Sequence, residues 1–285
     1  MSARREAGTT SPSLGPALAE LPPTSLKELV ARASLQTRVD RKYLLPVSDV
    51  RTLLTLLPPT TRVLEIDGAR DFAYRSLYFD TPDLLAYRMA AYRRPRRFKL
   101  RTRVYESSGE CWLEVKVRGR RGDTVKHRLP YSLSDHTTLA PGRSFVDATL
   151  TDSRVVASRG LTFAWTMTTH YRRTTLHLPE TDSRVTIDLG LTWYDGERAL
   201  CLPDTAVVET KTSGGICLVD RLLWRSRYRP CRMSKYTTGL AALRPHLPAT
   251  PWRRTLRRYM PPGVRREVPL SEARLPGLTD AATAR

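Results

Sequence analysis

The sequence is poor in the residues on which many catalytic and metal-binding devices depend. Only four cysteines occur in 285 residues, at 111, 201, 217 and 231. They form no C-x-x-C pair and have no histidine at zinc-ligand spacing, which excludes a zinc ribbon and a disulfide framework and suggests a reduced, cytoplasmic compartment. The five histidines are scattered, and no Ser-His-Asp set is evident. No apolar run approaches the ~20 residues needed to cross a bilayer. The opening stretch "MSARREAGTTSPSLGPALAELPPTS" lacks the continuous apolar segment of a secretory signal. A soluble protein is expected, with peripheral membrane contact left open. Acidic residues are scarce too: 28 Asp and Glu stand against 48 Lys and Arg, a formal net charge of +20. Such a surplus favours polyanionic partners, whether nucleic acid, phosphorylated small molecules or phosphate chains.

What is present is alternation. Residues 1–33 are rich in Pro, Ser, Thr and Ala and read as disordered, while 247–285 form a basic, Pro-rich tail dotted with Arg pairs. The globular part is therefore expected over 34–246. Period-two patterning predicts strands at 36–45, 72–79, 97–106, 111–119, 123–131, 164–178, 183–190 and 206–212. The connections "SSGE" and "GRRGD" make 97–131 an antiparallel meander. Helical spacing fits 48–57, 217–228 and 236–244, and the fold class is α+β, an antiparallel sheet with helices packed on one side.

The alternation has a consistent sense. Along 97–105 one face carries Arg97, Lys99, Arg101, Arg103 and Tyr105, the other Phe98, Leu100, Thr102 and Val104. Trp112, Glu114, Lys116 and Arg118 share a face, as do Lys126 and Arg128, Arg184 and Asp188, Arg38, Asp40 and Lys42, and Glu209 and Lys211. An antiparallel sheet with one wet side would produce the same pattern. Its composition argues otherwise, because a solvated face mixes both charge signs, whereas this one is mostly Arg and Lys with isolated carboxylates. Such cations repel one another unless an anion lies among them. Curled inward, the face becomes a basic tunnel suited to a triphosphate: Arg forks and Lys ammoniums bind non-bridging oxygens, and a carboxylate can share a divalent cation with the phosphates.

The segments "RKYLLP", "YRSLYFDTPDLLAYR", "FKLRTRVY", "WLEVKVRG", "VKHR", "HYRRTTL", "RVTIDLGL", "VVETKT" and "MSKYTTG" follow one another between about 38 and 240. In that order they resemble the VTC domain, the polyphosphate polymerase branch of the triphosphate tunnel metalloenzymes in the CYTH-like superfamily. The resemblance implies an eight-stranded antiparallel β tunnel barrel with a basic interior and helices outside. It also implies transfer of the terminal phosphate of ATP to a polyphosphate chain. Carried over residue by residue, it puts Arg101, Arg103, Lys116, Lys126, Arg173, Arg184 and Lys211 in catalytic roles and Lys42, Arg88 and Lys235 on the substrate. Glu209 matches the metal-ligand glutamate, with Asp188 and Glu114 as further candidates for Mn²⁺ or Mg²⁺. Asp40 stands where many tunnel enzymes have glutamate, one methylene short, and Asp80 with Thr81 and Pro82 reads as a helix cap or turn. The expected partners are ATP and polyphosphate, with no specific nucleic acid, and the reading is of a stand-alone enzyme. Two other readings remain: hydrolysis of tripolyphosphate or a nucleoside triphosphate in the same kind of tunnel, and polyanion binding without turnover. The aromatic-interleaved "WRRTLRRY" supports the last.

Overall fold

The computed structural model describes residues 13–32, 39–119, 124–261 and 266–267. Among them are twelve strands: β1 (Pro23–Thr24), β2 (Val39–Pro46), β3 (Arg62–Leu64), β4 (Phe72–Asp80), β5 (Arg97–Tyr105), β6 (Glu110–Arg118), β7 (Thr124–Tyr131), β8 (Ala164–Leu178), β9 (Ser183–Tyr194), β10 (Ala199–Leu202), β11 (Thr205–Thr212) and β12 (Arg266–Glu267). The α-helices are α1 (Gly15–Ala19), α2 (Leu26–Arg32), α3 (Val47–Thr55), α4 (Leu85–Ala91), α5 (Arg143–Asp152), α6 (Leu218–Arg225), α7 (Lys235–Leu243) and α8 (Arg253–Tyr259).

Eight long strands pair antiparallel in the order β7, β6, β5, β4, β8, β9, β11, β2. They are the eight the alternation predicts, since a period of two sorts side chains onto two faces only in pleated chain. Among the described residues β7 and β2 share no ladder. The sheet is the eight-stranded antiparallel tunnel expected, strongly curled but with a seam not closed by hydrogen bonds among the described residues. Register shifts at Tyr78/Phe79 and at His170/Arg172 add local bend to the ordinary twist.

Helices cover the outer face. Tyr43, Leu45, Val185, Ile187 and Val208 pack under α3 and α6, while Leu77, Phe98, Leu100, Leu113 and Val115 pack under α5. One end of the inner face also turns apolar: Leu44, Tyr78, Met167, Trp193 and Val207 meet Tyr236 and Leu240, so α7 packs against that end. Each fully buried large side chain contributes roughly 1.5–3 kcal/mol.

The helices α3, α6 and α7 lie where helical spacing predicts them. By contrast, the sequence offers only the cap-or-turn reading of Asp80 for α4 and no signal for α5. The first follows "YFDTPD", whose Asp80 carboxylate accepts from the backbone N–H groups of Ala86 and Tyr87 in its first turn; the second has only Val146, Thr149 and Leu150 buried, too few for a clear stripe. The packed unit also runs past both expected borders. Leu14, Leu18 and Leu21 join the core of α3, and Trp252 and Met260 join that of α7. Short helices with one apolar residue per turn leave too weak a period to read. Arg38, residues 120–123, and the parts of the terminal segments at 1–12 and 268–285 lie outside the described residues.

Candidate active site

Residues directly opposite in an antiparallel ladder share a face, so the register builds the inner wall row by row. Lys211 stands opposite Asp40 and Arg184, and Glu209 opposite Lys42 and Thr186. Arg173 stands opposite Asp188 and Phe72. Arg103 lies between Ser76 and Trp112, Arg101 between Tyr78 and Glu114, and Lys116 between Lys99 and Lys126. Across the seam, Lys42 lies close enough to both Lys99 and Lys116 to repel them. The strand cations therefore line one enclosed wall. Lys235 enters it from the N-terminus of α7.

Three carboxylates organise these cations. Glu114, 1% exposed, accepts from Arg101 Nε at 2.6 Å and from Lys126 Nζ at 3.2 Å. Asp188, also 1% exposed, accepts from Arg173 Nε at 2.6 Å and Nη2 at 2.9 Å, and from Lys235. Glu209 takes Lys42 at 2.9 Å on one oxygen and Lys211 at 3.0 Å on the other. Burial alone would raise all three carboxyls, but the neighbouring cations outweigh it and hold each well below the usual range. For Lys42, burial works against the charged form, yet the Glu209 carboxylate prevails and keeps the ammonium above its ordinary value.

Other cations have no such partner. Among the described residues Lys99 Nζ donates only to Ser234 Oγ, at 2.6 Å; burial, then Lys116 and Lys42, push it well below its ordinary value. Lys116 makes no ion pair with a described residue, and crowding by protein, then the Lys42 charge, push it down to about 8. Its side chain, on the charged face of β6, is nonetheless accessible to solvent. Beside them the buried Tyr171 hydroxyl has no hydrogen-bond partner among the described residues, although Arg103, Arg173 and Lys235 surround it and lower its proton affinity against the effect of burial. The Lys235 ammonium lies 4.3 Å from its ring centroid. An interior with orphaned cations and an orphaned hydroxyl is completed by an anion rich in acceptor oxygens.

Lys235 is held from several sides. Ser234 caps α7, and Trp193 Nε1 donates to the Lys235 carbonyl at 2.8 Å. A Cβ on Gly239 would come within 2.1 Å of Trp193 Nε1, so only glycine lets the helix approach this closely. The neighbouring Tyr236 donates to Asp80 at 2.5 Å. Asp80 also accepts from the backbone N–H groups of Thr81, Ala86 and Tyr87, so the "YFDT" carboxylate both caps α4 and ties it to α7.

Of the expected site residues, Lys42, Arg101, Arg103, Lys116, Lys126, Arg173, Lys211 and Lys235 come together. Arg184 shares the face at the Lys211 end of the wall, where its guanidinium donates to the Leu29 carbonyl of α2. Arg88 does not belong: it is exposed on α4 and donates to the Asp83 carbonyl, because the helix following "YFDT" turns it away from the sheet. Sequence reasoning did not assign Lys99, Tyr171 or Ser234. The signal for the first two was present, since each sits two residues before an assigned arginine on its strand.

Glu114, Asp188 and Glu209 do not form a metal cage. No group of three potential ligands occurs among the described residues, and each carboxylate holds its own pair of cations. The donor set fits a hard divalent ion only as a joint ligand, with one carboxylate on one side and phosphate oxygens on the other.

A family model for the VTC domain matches residues 37–244. The chain belongs to the VTC domain family. Among solved structures, this VTC domain is similar to HpAC1 of Hippeastrum, a candidate adenylyl cyclase with a dominant triphosphatase activity. Identity is 17%, 72% of this chain and 96% of that chain are covered, and the TM-score is 0.46. It is also similar to a candidate adenylate cyclase of Bacillus halodurans, with 13% identity, 72% and 97% coverage and a TM-score of 0.47. No curated protein matches the chain. No described helix of this VTC domain is long and apolar enough to cross a membrane.

Proposed function

We propose that the tunnel is the active site of a polyphosphate polymerase, which transfers the terminal phosphate of ATP to a polyphosphate chain and releases ADP. The observation that carries this reading is the set of cations from β2, β5, β6, β7, β8, β11 and α7 converging around three isolated carboxylates, with Lys99, Lys116 and Tyr171 lacking anionic partners. Phosphoryl transfer asks for positioning and charge stabilisation, and needs no protein nucleophile.

Arg101, Arg103 and Arg173 would bind non-bridging oxygens through their guanidinium forks; Lys42, Lys116, Lys126, Lys211 and Lys235 would add point charges along the chain. An oxygen of the acceptor phosphate attacks the γ-phosphorus, the bond to the β-phosphate breaks, and ADP leaves with that electron pair. Glu209 is the residue we assign to Mn²⁺ or Mg²⁺, once phosphate draws Lys42 and Lys211 off its oxygens. Asp188 and Glu114 stand beside the path as further candidates. The ion, when bound, supplies neutralisation of the phosphate oxygens and polarisation of phosphorus.

The test is incubation of the purified protein with ATP and Mn²⁺ or Mg²⁺, followed by a chain-length gel and measurement of ADP and free phosphate. A ladder of polyphosphate with matching ADP is expected. Free phosphate without a ladder would replace the polymerase by a hydrolase. Polyanion binding with no turnover would leave a binding module.

A further inference from the structure

The "WRRTLRRY" segment is not used by the tunnel chemistry, yet the fold brings it to the tunnel's rim. At the end of β5 and β6, Arg97 and Arg118 stand opposite each other, and Arg232 lies close by. Burial, then the charges of Arg118 and Arg232, push Arg97 below its ordinary value. The Arg232 carbonyl accepts from the Thr255 hydroxyl at 2.9 Å, which seats α8 directly against this rim. Arg254 and Arg258, one helical turn apart, flank Thr255 and are exposed. Beyond them, Arg258 lies 5.3 Å from the Tyr259 ring centroid and near Tyr228. None of Arg97, Arg118, Arg232, Arg254 or Arg258 pairs with a carboxylate among the described residues, although the tunnel's inner arginines 101 and 173 do.

We propose that Arg232, Arg254 and Arg258 form an external track, continuous with the Arg97–Arg118 rim, along which a long polyphosphate chain runs between the tunnel and solvent. This rests on the polymerase reading and adds a place for the part of the chain that the tunnel cannot hold. Polyphosphate fits the surface better than single-stranded nucleic acid. Bases need free aromatic faces to stack on, whereas the Tyr259 ring on α8 has the Arg258 guanidinium over it and the neighbouring Tyr228 hydroxyl is tied to Asp49. A phosphate chain needs only regularly spaced cations.

The experiment compares binding of tripolyphosphate, long polyphosphate and single-stranded RNA at low and moderate salt. It uses the full-length protein, the double variant Arg254→Glu/Arg258→Glu, and the control Arg253→Glu/Arg257→Glu. The control makes the same change of net charge on the neighbouring face of α8, about 100° round the helix, where Arg253 and Arg257 line a cavity with Leu256 and Met260. For Arg254→Glu/Arg258→Glu, affinity for long polyphosphate is expected to fall about tenfold at low salt, with a shallower salt slope. Tripolyphosphate should stay within about twofold of wild type and the control should lose far less. Should reversal unfold the chain, Arg254→Gln/Arg258→Gln gives the same ordering with a smaller drop. Equal losses in both double variants, equal losses for long and short phosphate, or no loss would each overturn the track. A loss for RNA as large as that for polyphosphate would replace it with a nucleic-acid surface. Failure of the wild-type protein to bind tripolyphosphate would instead sink the polymerase reading, so the two failures are distinguishable.

Discussion

Replacing Asp188 by Asn tests whether the wall is built to receive an anion. Asp188 is 1% exposed and neutralises Arg173 and Lys235, themselves only 14% and 11% exposed. Removing one partner of a buried ion pair costs about 3–5 kcal/mol, and Asn keeps one acceptor oxygen, so the loss in the empty protein should be about 3 kcal/mol. For a chain of this size that corresponds to a fall in Tm of roughly 6–12 °C. Added tripolyphosphate returns negative charge to the same two cations. A ligand at one hundred times its Kd stabilises by about 2.7 kcal/mol, and the variant should gain more than wild type at equal concentration because no carboxylate competes for Arg173 and Lys235. The assay is thermal unfolding without divalent ions, across a tripolyphosphate series. An unchanged Tm for the empty variant, or the same increment in both proteins, would refute a convergent cationic wall.

Three further outcomes follow from the geometry. Glu209→Gln should cost about a hundredfold or more in metal-dependent turnover, the scale of losing one charge-stabilising group, while tripolyphosphate binding by calorimetry persists; full activity would remove Glu209 from the metal. Lys116 and Lys211 sit near 8, below the ordinary lysine value, mainly because surrounding protein displaces water from the ammonium. Between about 8 and 10 the unfolded chain thus holds more protons than the folded one, so these groups add stability as pH rises through that window. Tripolyphosphate affinity should fall over the same range, because only the ammonium form binds; affinity flat from pH 7 to 9.5 would contradict this. Arg88→Ala, altering an exposed residue on α4, should leave turnover within about twofold, as expected of surface changes, and a large loss would place Arg88 back at the substrate.

Much of this protein is legible in its chain alone. Strict alternation over 97–105 and 112–118 determines both the strands and which residues share a face, because a pleated chain offers only two sides. The excess of Arg and Lys on one of those sides, interrupted by Glu114, Asp188 and Glu209, already points to a phosphate ligand. What period two leaves undecided is whether that side faces inward, and which rows come to stand beside each other. Only the curled sheet decides this, by setting Lys42 near Lys99 and Lys116 across a seam that no hydrogen-bonded ladder spans among the described residues. The same holds for Arg88, which the family resemblance puts near the tunnel but which is exposed on α4. It holds also for Asp80, whose hold on Tyr236 joins residues 156 positions apart. Contacts between side chains distant in sequence leave no local period. They arise when apolar faces are buried against one another, and that burial is a property of the whole fold.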